Sequence, residues 1–276
     1  MHAENMLWNV QKIVDVYILQ KALMICLDKR KGIVASTKNN IGMAIKGRGF
    51  NMSIFVCGDI HATLDIHKLD QFISRDDLGE NDFLIICGDT GICGFSKEQE
   101  NATREYIRKL PMTVLFVDGN HEDHPALNSY SVQEWNGGKV HIIEPGIIHL
   151  MRGQIFNING IKIFAFGGAF SIDRAYRQLG FTWFEEELPS EEEYKEAWDN
   201  LEANDFKVDY IVTHTGPYEV IAELGYECHD EALEQVRFFQ RIADNIEFKE
   251  WFFGHFHEDS DLENFHCRID EVTQIQ

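Results

Sequence analysis

Five times along this chain a short, nearly continuous apolar run stops at a small polar cluster. "IFVC" leads into "GDIH", "LIIC" into "GDTG", "LFVD" into "GNHE", "YIVT" into "HTGP" and "WFF" into "GHFH". The runs, at 52–57, 82–87, 113–118, 208–213 and 250–253, predict strands covered on both faces. Helix-compatible segments near 63–75 and 96–110 separate the first three, which gives the βαβ rhythm of an α/β protein. In open α/β sheets ligands bind beyond the carboxyl ends of the strands, so five such tips can converge on one crevice.

The residues delivered to those tips are Asp59, His61, Asp89, Asn120, His121, His214, His255 and His257. They are oxygen and nitrogen donors without a thiolate, a set that suits Mn, Fe, Zn or Ni. Gly58, Gly88, Gly119 and Gly254 each stand just before a polar residue, where glycine permits a sharp turn and close approach to a ligand. A single Asp-x-His or His-x-His is ordinarily a solvated turn. The weight lies in five clusters at matching places. His67, His124, His141, His149, His229 and His266 lack that placement and read as surface or satisfied core residues.

The remaining sequence narrows the setting. Its 276 residues carry a formal charge of −21, from 46 acidic against 25 basic residues, which works against binding nucleic-acid phosphates. Six scattered cysteines, none in CxxC spacing, suggest neither a zinc knuckle nor a disulfide framework, so a cytoplasmic location is expected. No run of about 18 uncharged apolar residues predicts a membrane span, and the N-terminus lacks the pattern of a signal peptide. Residues 1–51 read as an N-terminal extension, helical and then basic, that is either an accessory or partner-binding segment or a mis-assigned start before Met52. The domain proper is expected over 52–276. Its middle, 139–170, is rich in alternating and β-branched residues, with "NING" at 157–160 as a turn, and helices follow near 190–203 and 229–246.

Taken in order, GDIH, GDTG, GNHE, the histidine of THTGP and GHFH resemble the calcineurin-like metallophosphoesterases, specifically a bacterial and phage-type group. The resemblance covers roughly 52–260 and implies an α/β fold of two β-sheets in a sandwich flanked by helices. It implies two divalent metal ions, Mn or Fe first and Zn or Ni as alternatives. Asp59, His61 and His257 would hold one, Asn120, His214 and His255 the other, and Asp89 would bridge them. Such a pair, about 3.5–4 Å apart, holds a hydroxide that attacks phosphorus in line. His121 would protonate the leaving group and Glu122 would orient it. Protein Ser/Thr phosphatases of the family carry arginines that "GDTGICG" and Val117-Asp118 lack, and a glycine where Ala62 stands, so a phosphoprotein is a less fitting substrate than a small phosphate ester. Arg174 and Arg177 in "GGAFSIDRAYR" are candidates for a cationic clamp on the substrate. The expected function is hydrolysis of a phosphomonoester or phosphodiester; the alternatives are a nuclease of the same family or a non-catalytic, partner-binding scaffold.

Overall fold

The computed structural model describes residues 52–276, so the extension expected over 1–51 lies outside the described residues. Thirteen strands form two sheets among the described residues. The first sheet is built on β1 (Ile54–Cys57), β2 (Phe83–Ile86) and β3 (Thr113–Phe116), which pair in parallel. It continues through β6 (Ile147–Leu150) to the antiparallel β5 (Gly138–Glu144) and β4 (Val132–Trp135), and β13 (Thr273–Gln274) closes the other edge. The second sheet centres on β8 (Ile161–Phe166), β9 (Tyr210–Thr213) and β10 (Glu250–Phe253), again parallel. Its edges are β7 (Gln154–Ile158), and β12 (Phe265–Cys267) followed by β11 (Ser260–Leu262). All five expected strands form, each pairing in parallel with a neighbour, and "NING" turns β7 into β8.

The two-residue period of each strand divides the side chains between layers. Ile54 and Val56 face Phe156, Ile163, Val212 and Phe252 in the core between the sheets. Phe55 and Cys57 face outward, toward α1 (Leu69–Ile73) and α2 (Lys97–Ile107), whose Leu69, Phe72 and Ile107 complete an outer core. On the far side Phe164, Ile211, Trp251 and Phe253 pack against α4 (Glu191–Ala203), α5 (Tyr218–Glu223) and α6 (Leu233–Asn245). A short α3 (His124–Asn128) precedes β4. The result is a helix–sheet–sheet–helix sandwich in which both faces of the central strands are dry, which is why their sequences carry no polar alternation.

Helix boundaries follow side-chain caps where those exist. Ser96 and Ser190 each form a capping box, with Gln99 and Glu193 respectively, so α2 and α4 begin where the sequence suggests. The segment expected as one helix over 63–75 is a 3₁₀ turn at Ile66–Lys68 followed by the five-residue α1. No side chain caps either piece, and the chain there stays bound to the loop after β2 through Ile60, His61 and Ala62.

Candidate metal centre

The loops after β1, β2, β3, β9 and β10 meet at one end of the sandwich. Backbone contacts set their spacing: Cys87 N–H donates to the Cys57 carbonyl, His61 N–H to Asp89, and Gly254 N–H to His214. Glycine is required where the loops cross. A Cβ on Gly58 would stand 1.7 Å from the Arg268 carbonyl oxygen, and one on Gly119 would stand 2.1 Å from Asp89 Oδ1. The ammonium of Lys68, a residue passed over in the sequence, donates to the carbonyls of Gly58, Asp59 and Ile269 and pins the first loop.

Three groups of donors come together there. Asp59 Oδ2 lies 3.8 Å from His61 Nε2 and 3.4 Å from His257 Nε2. Asn120 Oδ1 lies 2.9 Å from His214 Nε2 and 3.0 Å from His255 Nδ1. Between these sets, Asp89 Oδ2 is 3.7 Å from His61 Nε2 and 3.5 Å from His214 Nε2. Two overlapping sets, Asp59–His61–His257 and Asp59–Asp89–His214, bring their ligand atoms within 4.8 Å of one another, close enough to hold an ion. Thus all seven metal-ligand candidates sit in one cluster, with Asp89 between its halves.

Electrostatics supports a cation at this place. Asp59 and Asp89 are buried, and among the described residues their side-chain ion pairs are all with imidazoles. Burial opposes the charged form of His61 and His214, but Asp89 and Asp59 outweigh it and lift them to about 9 and about 10. His255 goes the other way, to about 3, through burial and then repulsion from His214. In the metal-free chain the charge on the His61 and His214 imidazoles offsets the two buried carboxylates. A divalent ion is the compensation this oxygen and nitrogen set fits.

Two histidines are held in the ring orientation that a metal needs. His214 Nδ1–H donates to the Cys87 carbonyl at 2.6 Å, so the nitrogen turned toward Asn120 and Asp89, and open to a metal once deprotonated, is Nε2. His61 Nδ1 is 2.9 Å from Asp65 Oδ2, which frees Nε2 in the same way. The sequence carried a signal for Asp65 only in hindsight: it stands four residues beyond His61, one turn away. Backbone strain collects here too, for His61, Asp89, His255 and His257 all have positive φ.

The remaining candidates divide. His121 borders the cluster, with Nε2 4.0 Å from Asp89 Oδ2, its ring stacked on Phe95 and its side chain 30% exposed. Burial, then Arg177 and His61, lower its pKa, and Asp89 opposes them. Glu122 differs from the expected orienting role: its carboxylate binds Thr90 and Gly119 rather than the His121 ring. It accepts the Thr90 amide at 2.7 Å, the Thr90 hydroxyl at 2.8 Å and the Gly119 amide at 2.6 Å. Burial raises it to about 7, with the Asp89 charge adding and these hydrogen bonds opposing. Glu122 therefore joins the loops after β2 and β3.

The two arginines part company as well. Arg174 Nε donates to the buried Glu187 at 2.7 Å, and its guanidinium lies over Phe170 and Trp183, so it braces the loop. Arg177 borders a small cavity shared with His121 and Phe95, and donates to the Ser171 hydroxyl at 2.7 Å. Ser171 also receives Asn120 Nδ2–H at 3.0 Å, a link from the clamp candidate to a ligand candidate that nothing in the sequence announced.

Behind the cluster lies a buried polar group that the sequence scattered among surface and core histidines. Asp118 binds Arg152 at 2.6 and 3.0 Å and His149 at 3.1 Å, and His149 meets His141 at 3.1 Å. Gly167 crosses so close that a Cβ would stand 2.2 Å from Asp118 Oδ1. His124 Nε2 is buried there without a partner, so that histidine is not a satisfied one.

Comparison with known proteins gives the family. No curated protein sequence matches the chain. A solved structure described as a 5'-nucleotidase from Staphylococcus aureus, in complex with alpha-ketoglutarate, is similar at 15% identity and a TM-score of 0.45. The match covers 79% of this chain and 48% of that one, so this chain spans about half the length of that structure. The family model for calcineurin-like phosphoesterases matches residues 52–259. With that match over the same strand tips that carry the cluster, the chain belongs to the calcineurin-like phosphoesterase family.

Proposed function

We propose that the protein is a dimetal-dependent phosphoesterase that hydrolyses a small phosphomonoester or phosphodiester. The observation that carries this reading is the placing of Asp89 Oδ2 between His61 Nε2 and His214 Nε2, with one donor trio on each side. Asp59, His61 and His257 would hold one ion, Asn120, His214 and His255 the other, and Asp89 both. Mn or Fe is the first choice for this set, Zn or Ni the second. Two such ions supply Lewis-acid activation of water and of the phosphoryl group.

The chain's own groups do the rest. Asp89 anchors the His121 backbone through its Oδ1, which ties the candidate acid to the ligand cluster. His121 gives its proton to the leaving oxygen as the P–O ester bond breaks, and water supplies the new oxygen on phosphorus. Arg177 offers N–H groups to the phosphoryl oxygens; Arg174, committed to Glu187, keeps that loop in place. Glu122 and Ser171 hold the loops that carry Asn120 and His121.

The test is hydrolysis of an aryl phosphomonoester and the matching diester by metal-stripped protein refilled with Mn, Fe, Ni or Zn. Two ions bound per chain and metal-dependent turnover, lost in Asp89→Asn and His121→Ala, are expected. A chain that binds no metal would overturn the site, and two bound ions without turnover of either ester would favour the scaffold reading.

A further inference from the structure

A cavity of about 570 Å³ opens directly from the ligand cluster, sharing Asp89, Asn120, His255 and His257 with it, and His121 lines it too. Its other walls are mostly apolar. Phe170 pairs with His229 at 5.3 Å, and Tyr226 with Phe256 at 4.6 Å. Ile221 and Val236 close the inner side. The mouth carries Ile172, 73% exposed, an apolar surface with nothing over it among the described residues. Gln235 lines the cavity and is 1% exposed; its Nε2 donates to the Gly168 carbonyl at 2.7 Å while its Oε1 is buried without a partner.

The charge of this cavity is one-sided. Asp173 and Glu227 line it beside the cluster, and no lysine or arginine does. Asp173 is answered by Arg177 at 3.4 Å, outside the cavity wall, but an anionic leaving group would still meet Glu227 with no lysine or arginine lining the cavity. Polyphosphate, nucleic-acid and acidic peptide esters are disfavoured on that ground. Aromatic walls and a volume in the range of small-molecule sites favour a ring-sized apolar group instead.

From this we infer that the cavity is the leaving-group subsite, and that the substrate is a phosphate ester of an uncharged, apolar alcohol of aromatic size. The inference rests on the proposed phosphoesterase reading for its chemistry, but the cavity's ligand class can be tested apart from it. The phosphoryl group sits at the metal cluster, the apolar group fills the cavity, and hydrolysis releases a neutral alcohol from it.

Three esters of similar intrinsic reactivity separate the possibilities: phenyl, 2-naphthyl and 3-carboxyphenyl phosphate. The second ring of naphthalene buries enough extra apolar area to raise kcat/KM about tenfold over phenyl phosphate. The carboxylate should lower kcat/KM below that of phenyl phosphate. Ile172→Asp, at an exposed position, and Ala232→Trp, which fills the cavity from the start of α6, should each pull the naphthyl-to-phenyl ratio toward one. Binding of 2-naphthol to the full-length, metal-stripped chain, followed by naphthol fluorescence, gives a second reading that needs no catalysis. Saturable naphthol binding that Ala232→Trp weakens supports the inference even if no ester is turned over, in which case the phosphoesterase reading alone fails. Turnover of all three esters with equal kcat/KM, or naphthol binding indifferent to both substitutions, would overturn it.

Discussion

Asp89 and His121 are joined through one carboxylate: Oδ1 accepts the His121 amide at 2.8 Å, while Oδ2 stands 4.0 Å from the same residue's Nε2 and faces the histidines on either side. The side chain proposed to bridge the metals therefore also sets where the proposed acid stands. His121→Gln should separate the two duties. Metal stoichiometry should be unchanged, while kcat falls about 10²–10⁴-fold for an alkyl ester and much less for an ester of an acidic phenol that leaves without a proton. Equal losses for both esters would argue against proton donation by His121.

Asp65 tests the support behind the metal. Its carboxylate holds His61 Nδ1 at 2.9 Å from a partly exposed position, so Asp65→Asn should fold normally. Metal affinity, measured by competition with a chelator, should fall about 10–100-fold. An unchanged affinity would mean that ring orientation is fixed by packing alone.

The two arginines give opposite expectations. Arg177→Ala should raise KM with little change in melting temperature, because Arg177 borders the smaller cavity that it shares with His121 and Phe95. Arg174→Ala leaves the fully buried Glu187 without its cation and removes the stack on Phe170 and Trp183. It should cost about 3–5 kcal/mol of stability, read by urea unfolding. A KM effect confined to Arg174→Ala would reverse the assignment of the clamp.

The buried histidine group makes stability depend on pH. Burial first, and then repulsion within the group, depress His124 and His141 from 6.5 to about 4, while Asp118 pulls upward. The unfolded chain takes up these protons near pH 6.5, before the folded chain does. Stability present above about 6.5 is therefore lost as pH falls toward 4. In metal-stripped protein, His141→Gln should reduce that slope by about one proton, or about 1.4 kcal/mol per pH unit, in urea unfolding between pH 4 and 6.5. A slope identical to that of the unsubstituted chain would remove His141 as its source.

What the sequence determined by itself was the set of parts. Apolar runs without polar alternation can persist only where both faces are covered, so "IFVC", "LIIC" and "YIVT" announced central strands covered on both faces. Each motif followed its strand directly, so Asp59, Asp89, Asn120, His214 and His255 were legible as tip residues before any contact was known. What only the tertiary structure decided was which side chains those tips face. Glu122 lies beside His121 in sequence, yet the crossing of two loops turns it onto Thr90 and Gly119. Arg174 and Arg177 are three residues apart, and a 3₁₀ turn sends one to Glu187 and leaves the other bordering the smaller cavity beside His121 and Phe95. Asp65, Ser171 and the Asp118–Arg152 pair act across sequence gaps or on neighbouring turns where no local period applies. Strand character is written in consecutive residues because burial acts on each residue in turn. Partner choice is written in the packing of distant segments, where a buried charge takes whichever opposite charge or hydrogen-bond donor the fold brings within reach.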